Sequence, residues 1–104
     1  MRILFVDSGA SGFHQRYAYD IDTTLFKELN FTGMHVNPRN LSQQLIKDFK
    51  PNLILVAHGT RTPLGLIRFA KKEGIKTALW LVEDPYEIDS HRGEMVETYD
   101  YVFT

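Results

Sequence analysis

Short apolar runs alternate along this chain with segments whose apolar residues recur at helical spacing. Residues 3–6 form a continuous apolar run, as a strand buried on both faces of a sheet requires. Residues 33–36 form a weaker second run, Leu53–Ala57 a third, 77–82 a fourth and Tyr101–Phe103 a fifth. Between the first two, Ala18, Ile21, Leu25 and Leu29 share one helical face, and Asn30 and Gly33 supply stop signals. A second helix is expected after Asn40, a capping residue with Gln43 three positions on. Its apolar stripe is Leu41, Leu45 and Phe49, and Pro51 marks its end. The third helix is the best punctuated. Thr62 is placed to cap it and Pro63 suits its first position. Lys71 and Lys72 complement its last turn, and Gly74 terminates it. A short helix over 91–97 leads into the final strand.

Strands that alternate with helices imply right-handed βαβ units and a parallel sheet covered on both faces. The expected fold is α/β: a three-layer, Rossmann-like or flavodoxin-like open sheet of five strands in the order 2-1-3-4-5, with helices on both faces. The weak second strand suits an edge, and the most apolar strands then lie centrally. The order 3-2-1-4-5 would leave Leu53–Ala57 at an edge and waste its hydrophobicity.

With 104 residues the chain reads as a single domain over 1–104. A domain of that size buries roughly 65% of the surface its unfolded chain exposes, enough for a core without staples. The net charge of −1 gives no general attraction to polyanions, so no nucleic-acid partner is expected. The absence of cysteine removes disulfides, thiolate metal sites and cysteine nucleophiles. It also fits a reducing compartment, so a cytoplasmic location is expected. The apolar start of the chain is too short for a signal-peptide core or a membrane span. His14, His35, His58 and His91 show no close pairing, and no metal site is expected.

In an open parallel sheet, ligands bind beyond the carboxyl ends of the strands, where the order reverses. Here that point lies between strands one and three, where the loops 7–16 and 58–62 meet and the loop 83–90 adjoins them. The first loop offers Ser8, Gly9, Ser11, Gly12 and His14, whose small residues and donors suit close approach to a ligand. It lacks the full G-x-G-x-x-G and the P-loop lysine, so dinucleotide and triphosphate binding are poorly matched. The second offers His58, Gly59, Thr60 and Arg61. The free amides of the following helix, aided by Arg61, suit an anion, and a histidine there titrates near neutrality. The third offers Glu83, Asp84 and Tyr86, carboxylates to orient sugar hydroxyls and an aromatic to pack on a sugar ring. Structural duties compete for each of them: flexible connection, a hydrogen-bonded histidine, helix capping, an Asp-Pro turn.

The run Thr77-Ala78-Leu79-Trp80-Leu81-Val82-Glu83-Asp84-Pro85-Tyr86, with Tyr99-Asp100-Tyr101-Val102-Phe103-Thr104, resembles the N-terminal domain of spore-maturation (CgeB-type) GT-B glycosyltransferases. Lys50-Pro51-Asn52-Leu53-Ile54-Leu55-Val56 and His58-Gly59-Thr60 fit the same pattern, and the similarity runs loosely over the whole chain. The resemblance implies two Rossmann-like domains facing a cleft. The C-terminal one holds the nucleotide of the sugar donor, and the N-terminal one contacts the acceptor and the sugar. This chain is then the acceptor-side half, with the nucleotide-sugar donor bound in a separate C-terminal domain and no cofactor of its own. Alone it is expected to be inactive. The implied partners are that donor domain and a sugar or glycan acceptor. An uncovered face or edge leaves a homodimer open. His58 and Asp84 are the candidate catalytic residues.

Three other readings share the topology. A response-regulator receiver needs an aspartate at the end of strand three, where Ala57 and His58 stand. A flavin-binding electron carrier needs a denser threonine-serine phosphate cradle than the first loop offers. A stand-alone ligand-binding or protein-interaction module needs no chemistry at all, and fold does not decide among them.

Overall fold

The strongly apolar runs do become the centre of a parallel sheet. A computed structural model describes residues 1–7, 9, 31–59, 61–81 and 92–103. Among them β1 (Arg2–Val6), β2 (Thr32–Val36), β3 (Leu53–Ala57), β4 (Lys76–Trp80) and β5 (Tyr101–Phe103) pair in parallel in the order β2-β1-β3-β4-β5. The helices are α1 (Gln43–Phe49), α2 (Leu64–Lys72) and α3 (Arg92–Thr98), with a 3₁₀ turn over Pro38–Asn40. This is an α/β fold of Rossmann or flavodoxin type, with the strand order expected from the hydrophobic pattern.

The register explains where the core lies. Leu4 pairs with Ile54, Val6 with Val56, and Val56 with Leu79, so these side chains stand on one face. They join Ile46 and Phe49 of α1, Ile67 and Ala70 of α2, and Met95 of α3 in one buried cluster. All three described helices therefore cover the same face, as right-handed crossovers that step one way across the sheet require. Alternate residues face the other way, where Phe5, Ala57 and Leu55 form a separate cluster. Tyr101 and Phe103 on the edge strand are exposed. The helix expected around Ala18 to Leu29 lies outside the described residues. Among the described residues no helix is long and apolar enough to cross a membrane.

Two helix starts differ from the sequence expectation. Asn40 does not cap α1. Pro38 fixes a tight turn whose first amide, that of Arg39, is held by the Asn37 side chain at 3.0 Å. The helix begins two residues later than expected, with Ser42 accepting from the Leu45 amide at 3.1 Å. Leu41 still reaches the core, from outside the helix. At α2, Pro63 is the cap residue and Leu64 opens the helix, so Thr62 does not cap it and its buried hydroxyl has no hydrogen-bond partner among the described residues. The far end follows expectation. Gly74 takes a φ of 81°, and the Gly74→Lys71 and Ile75→Ala70 backbone bonds close a Schellman motif.

The β5 edge is tied down by one carboxylate. Asp100 accepts from the Thr77 amide at 2.9 Å and from its hydroxyl at 3.2 Å, while Lys71 lies 3.7 Å away. Partial burial pushes its pKa up, but the Thr77 hydrogen bonds and the charges of Lys71 and Lys76 outweigh this and hold it below the ordinary aspartate value. Asp100→Ala leaves the buried Thr77 amide without its acceptor and is expected to cost about 1–3 kcal/mol at neutral pH. The ionised Asp100 stabilises the fold above the unfolded-chain aspartate pKa of about 3.9, and that contribution fades as pH falls through the lower folded value. Urea unfolding of both proteins at pH 7 and at the acid end should show the gap narrowing.

Candidate functional site

Every strand of a parallel sheet delivers its following loop to one edge, and the order reverses here between β1 and β3. The turn after β3 is tightly constrained. His58 takes a φ of 69°, and the Gly59 amide donates back to the Ala57 carbonyl at 2.8 Å, closing a three-residue γ-turn of the rarer, strained hand. The His58 amide bonds the Trp80 carbonyl at 2.7 Å, which carries the β3–β4 pairing one residue further. Gly59 follows with a φ of 87° and no room for a side chain. A Cβ there would sit 2.6 Å from Leu79 Cδ1 and 3.0 Å from Met95 Sδ. The chain therefore turns sharply off the sheet against the core, and Arg61 emerges at the edge.

The loop after β1 is shaped by its aspartate. Asp7 Oδ1 accepts from the Gly9 amide and Oδ2 bonds His35 Nε2, both at 2.7 Å. His35 stands beside Phe5, its register partner on β1, with ring centroids 5.5 Å apart. Gly9 has a φ of 81°, and a Cβ on it would lie 2.9 Å from Arg61 Cδ and 3.3 Å from Pro38 Cγ. The backbone at Gly9 is thus covered by the stem of Arg61 and by the proline of the turn after β2. Three turns converge.

They border an open cavity of about 500 Å³, lined by Gly9, Asn37, Pro38, Arg39, Leu41, Arg61 and Pro63. Volumes of about 300–1,000 Å³ are usual for small-molecule sites. Two arginines line it and, among the described residues, no acidic residue does. Asp7, whose two oxygens are already bonded to Gly9 and His35, does not line it. Another concavity, between α2 and α3, is lined by Arg68, Lys71, Lys72, Glu94, Glu97 and Thr98. Its charges are mixed, Arg68 pairs with Glu94 at 2.7 Å, and it lies away from the carboxyl edge.

Of the residues expected from sequence, the structure brings Gly9 and Arg61 together in the cavity wall. His58 and Gly59 form the turn that delivers Arg61, and His58 is half-buried without lining the cavity. Ser8, Ser11, Gly12, His14, Thr60, Glu83, Asp84 and Tyr86 lie outside the described residues. Sequence reasoning overlooked Arg39, Asn37 and the Asp7–His35 pair. The signal for the first two was the strand order itself, because the loop after β2 ends on the same edge as those after β1 and β3.

Scanned against known protein families, the chain matches none, and no curated protein matches it either.

Gly59→Ala combines a left-handed backbone with a clash against Leu79. A loss of about 2–4 kcal/mol is expected from overpacking and backbone strain together. Chemical denaturation measures it, and stability within 0.5 kcal/mol of wild type would contradict the packing described.

Proposed function

We propose that this chain is the acceptor-side domain of a glycosyltransferase that moves a sugar from a nucleotide-sugar donor to an acceptor. One observation supports the reading: the turns after β1, β2 and β3 border an open cavity at the topological switch point, the ordinary place for a ligand in such sheets. The resemblance of the Trp80-to-Tyr86 stretch and of the last strand to CgeB-type N-terminal domains gives that ligand its class. The cavity suits a sugar. Pro38, Leu41 and Pro63 offer apolar surface for ring C–H groups, and Asn37 and the arginines offer hydrogen bonds to hydroxyls.

In this reading the nucleotide of the donor belongs to a second α/β domain, and transfer requires closure of the two across a cleft. An acceptor hydroxyl must lose its proton as it attacks. His58 and Asp84 are candidates from sequence.

An amide chemical-shift titration with neutral sugars and with nucleosides tests the reading. Sugars are expected to shift the amides of Gly9, Arg39, Gly59 and Arg61, and nucleosides are expected to leave them unchanged. Saturable shifts of the same amides by a nucleoside or a flavin, with none from sugars, would replace the glycosyltransferase reading by that of a nucleotide or flavin carrier.

A further inference from the structure

The charge in the cavity wall is unbalanced. Arg39 and Arg61 come from different loops, and neither guanidinium has an ion-pair partner among the described residues. Elsewhere on the described surface Arg68 is matched by Glu94, Lys71 by Asp100 and Arg2 by the Phe49 carbonyl and ring, while Lys50, Lys72 and Lys76 have no ion pair among the described residues but do not line this cavity. The acid nearest in sequence to Gly9 is Asp7, which is turned back on the Gly9 amide and His35. Two exposed like charges beside one open cavity repel each other weakly, and an anion between them removes that cost and gains charge-assisted hydrogen bonds.

The kind of anion follows from the count of charges. Two guanidinium forks are matched by a phosphomonoester, which carries about −1.5 to −2 charges at neutral pH and three acceptor oxygens. A single carboxylate would leave one positive charge uncompensated. The remaining walls, Pro38, Leu41 and Pro63 with the Asn37 amide, suit a compact ring bearing hydroxyls rather than a second charged group.

We infer that this cavity binds the phosphate group of a phosphorylated sugar, held between Arg39 and Arg61. The identification of the sugar rests on the glycosyltransferase reading above. The phosphate site itself rests only on the cavity and its two unmatched cations.

The test is an amide-shift titration of the full 104-residue chain at low and high salt. Its probes are inorganic phosphate, a hexose phosphate, the same hexose without phosphate, and a nucleoside diphosphate. Inorganic phosphate is expected to shift Gly9, Arg39 and Arg61. The hexose phosphate should bind at least tenfold tighter than the neutral hexose, and less tightly as salt rises. Arg39→Gln and Arg61→Gln should each weaken that binding at least tenfold. Arg61→Lys, which keeps the charge but loses the fork, should fall between. Arg68→Gln in the α2–α3 groove should change nothing. Retained signal dispersion shows that each variant is folded.

Equal affinity for the hexose and its phosphate would overturn the inference, as would wild-type affinity in both glutamine variants. If the neutral hexose still shifted these amides, the glycosyltransferase reading would survive that failure. Phosphate binding with no contribution from the hexose would uphold the phosphate site and remove the sugar. A nucleoside diphosphate that bound more tightly than the hexose phosphate would assign the phosphate to a nucleotide, against the inference.

Discussion

The close seating of the Gly59 backbone on Leu79 and Met95 fixes the geometry of the sheet's carboxyl edge. β3 is the central strand, hydrogen-bonded to β1 on one side and β4 on the other, and must leave the sheet without striking the core beneath it. Only a residue without a side chain approaches Leu79 so closely, and only a left-handed turn at His58 and Gly59 redirects the chain there. Strain at such a turn persists only where the surroundings enforce it. Here the enforcement is a γ-turn hydrogen bond to Ala57, a further bond from His58 to the Trp80 carbonyl, and the Thr62 amide bonded to the Gly59 carbonyl at 3.2 Å. The result is an arginine delivered to the edge from a rigid base.

The other two turns are built by different means. Asp7 folds the loop after β1 through its own carboxylate, and Pro38 with the Asn37 cap compresses the turn after β2. Parallel pairing places all three at one end. The buried cluster beneath α1, α2 and α3 holds that end in place, since Leu4 and Val6 of β1 and Ile54 and Val56 of β3 belong to the same packed group. The stability of the core and the position of the cavity are therefore set by the same residues.

Much of this was legible in the chain. Continuous apolar runs identified the strands, and the contrast between the weak run at 33–36 and its neighbours gave the order. Gly74 announced the end of α2 because a left-handed terminator has few alternatives. The starts of α1 and α2 were less legible. Asn40 and Thr62 are both good capping residues, but Pro38 diverted one into a 3₁₀ turn and Pro63, which has no amide to offer, took the cap position of the other. Gly9 and Arg61 were expected at the site from composition and place, and both line the cavity. Arg39 was not expected there, because an arginine after a proline looks like ordinary surface until the turn that carries it is set beside two others. Asp100 was missed for the same reason: its partners, Thr77 and Lys71, are distant in sequence and become neighbours only through the β4–β5 pairing.

The claim that the converging turns form the ligand site is tested most directly by a crystal structure of this chain soaked with a hexose phosphate. Density for the phosphate between Arg39 and Arg61, with the ring against Pro38 and Leu41, is the expected result. Density confined to the α2–α3 groove, or to the exposed apolar surface around Tyr101 and Phe103, would show that the site lies elsewhere on the fold.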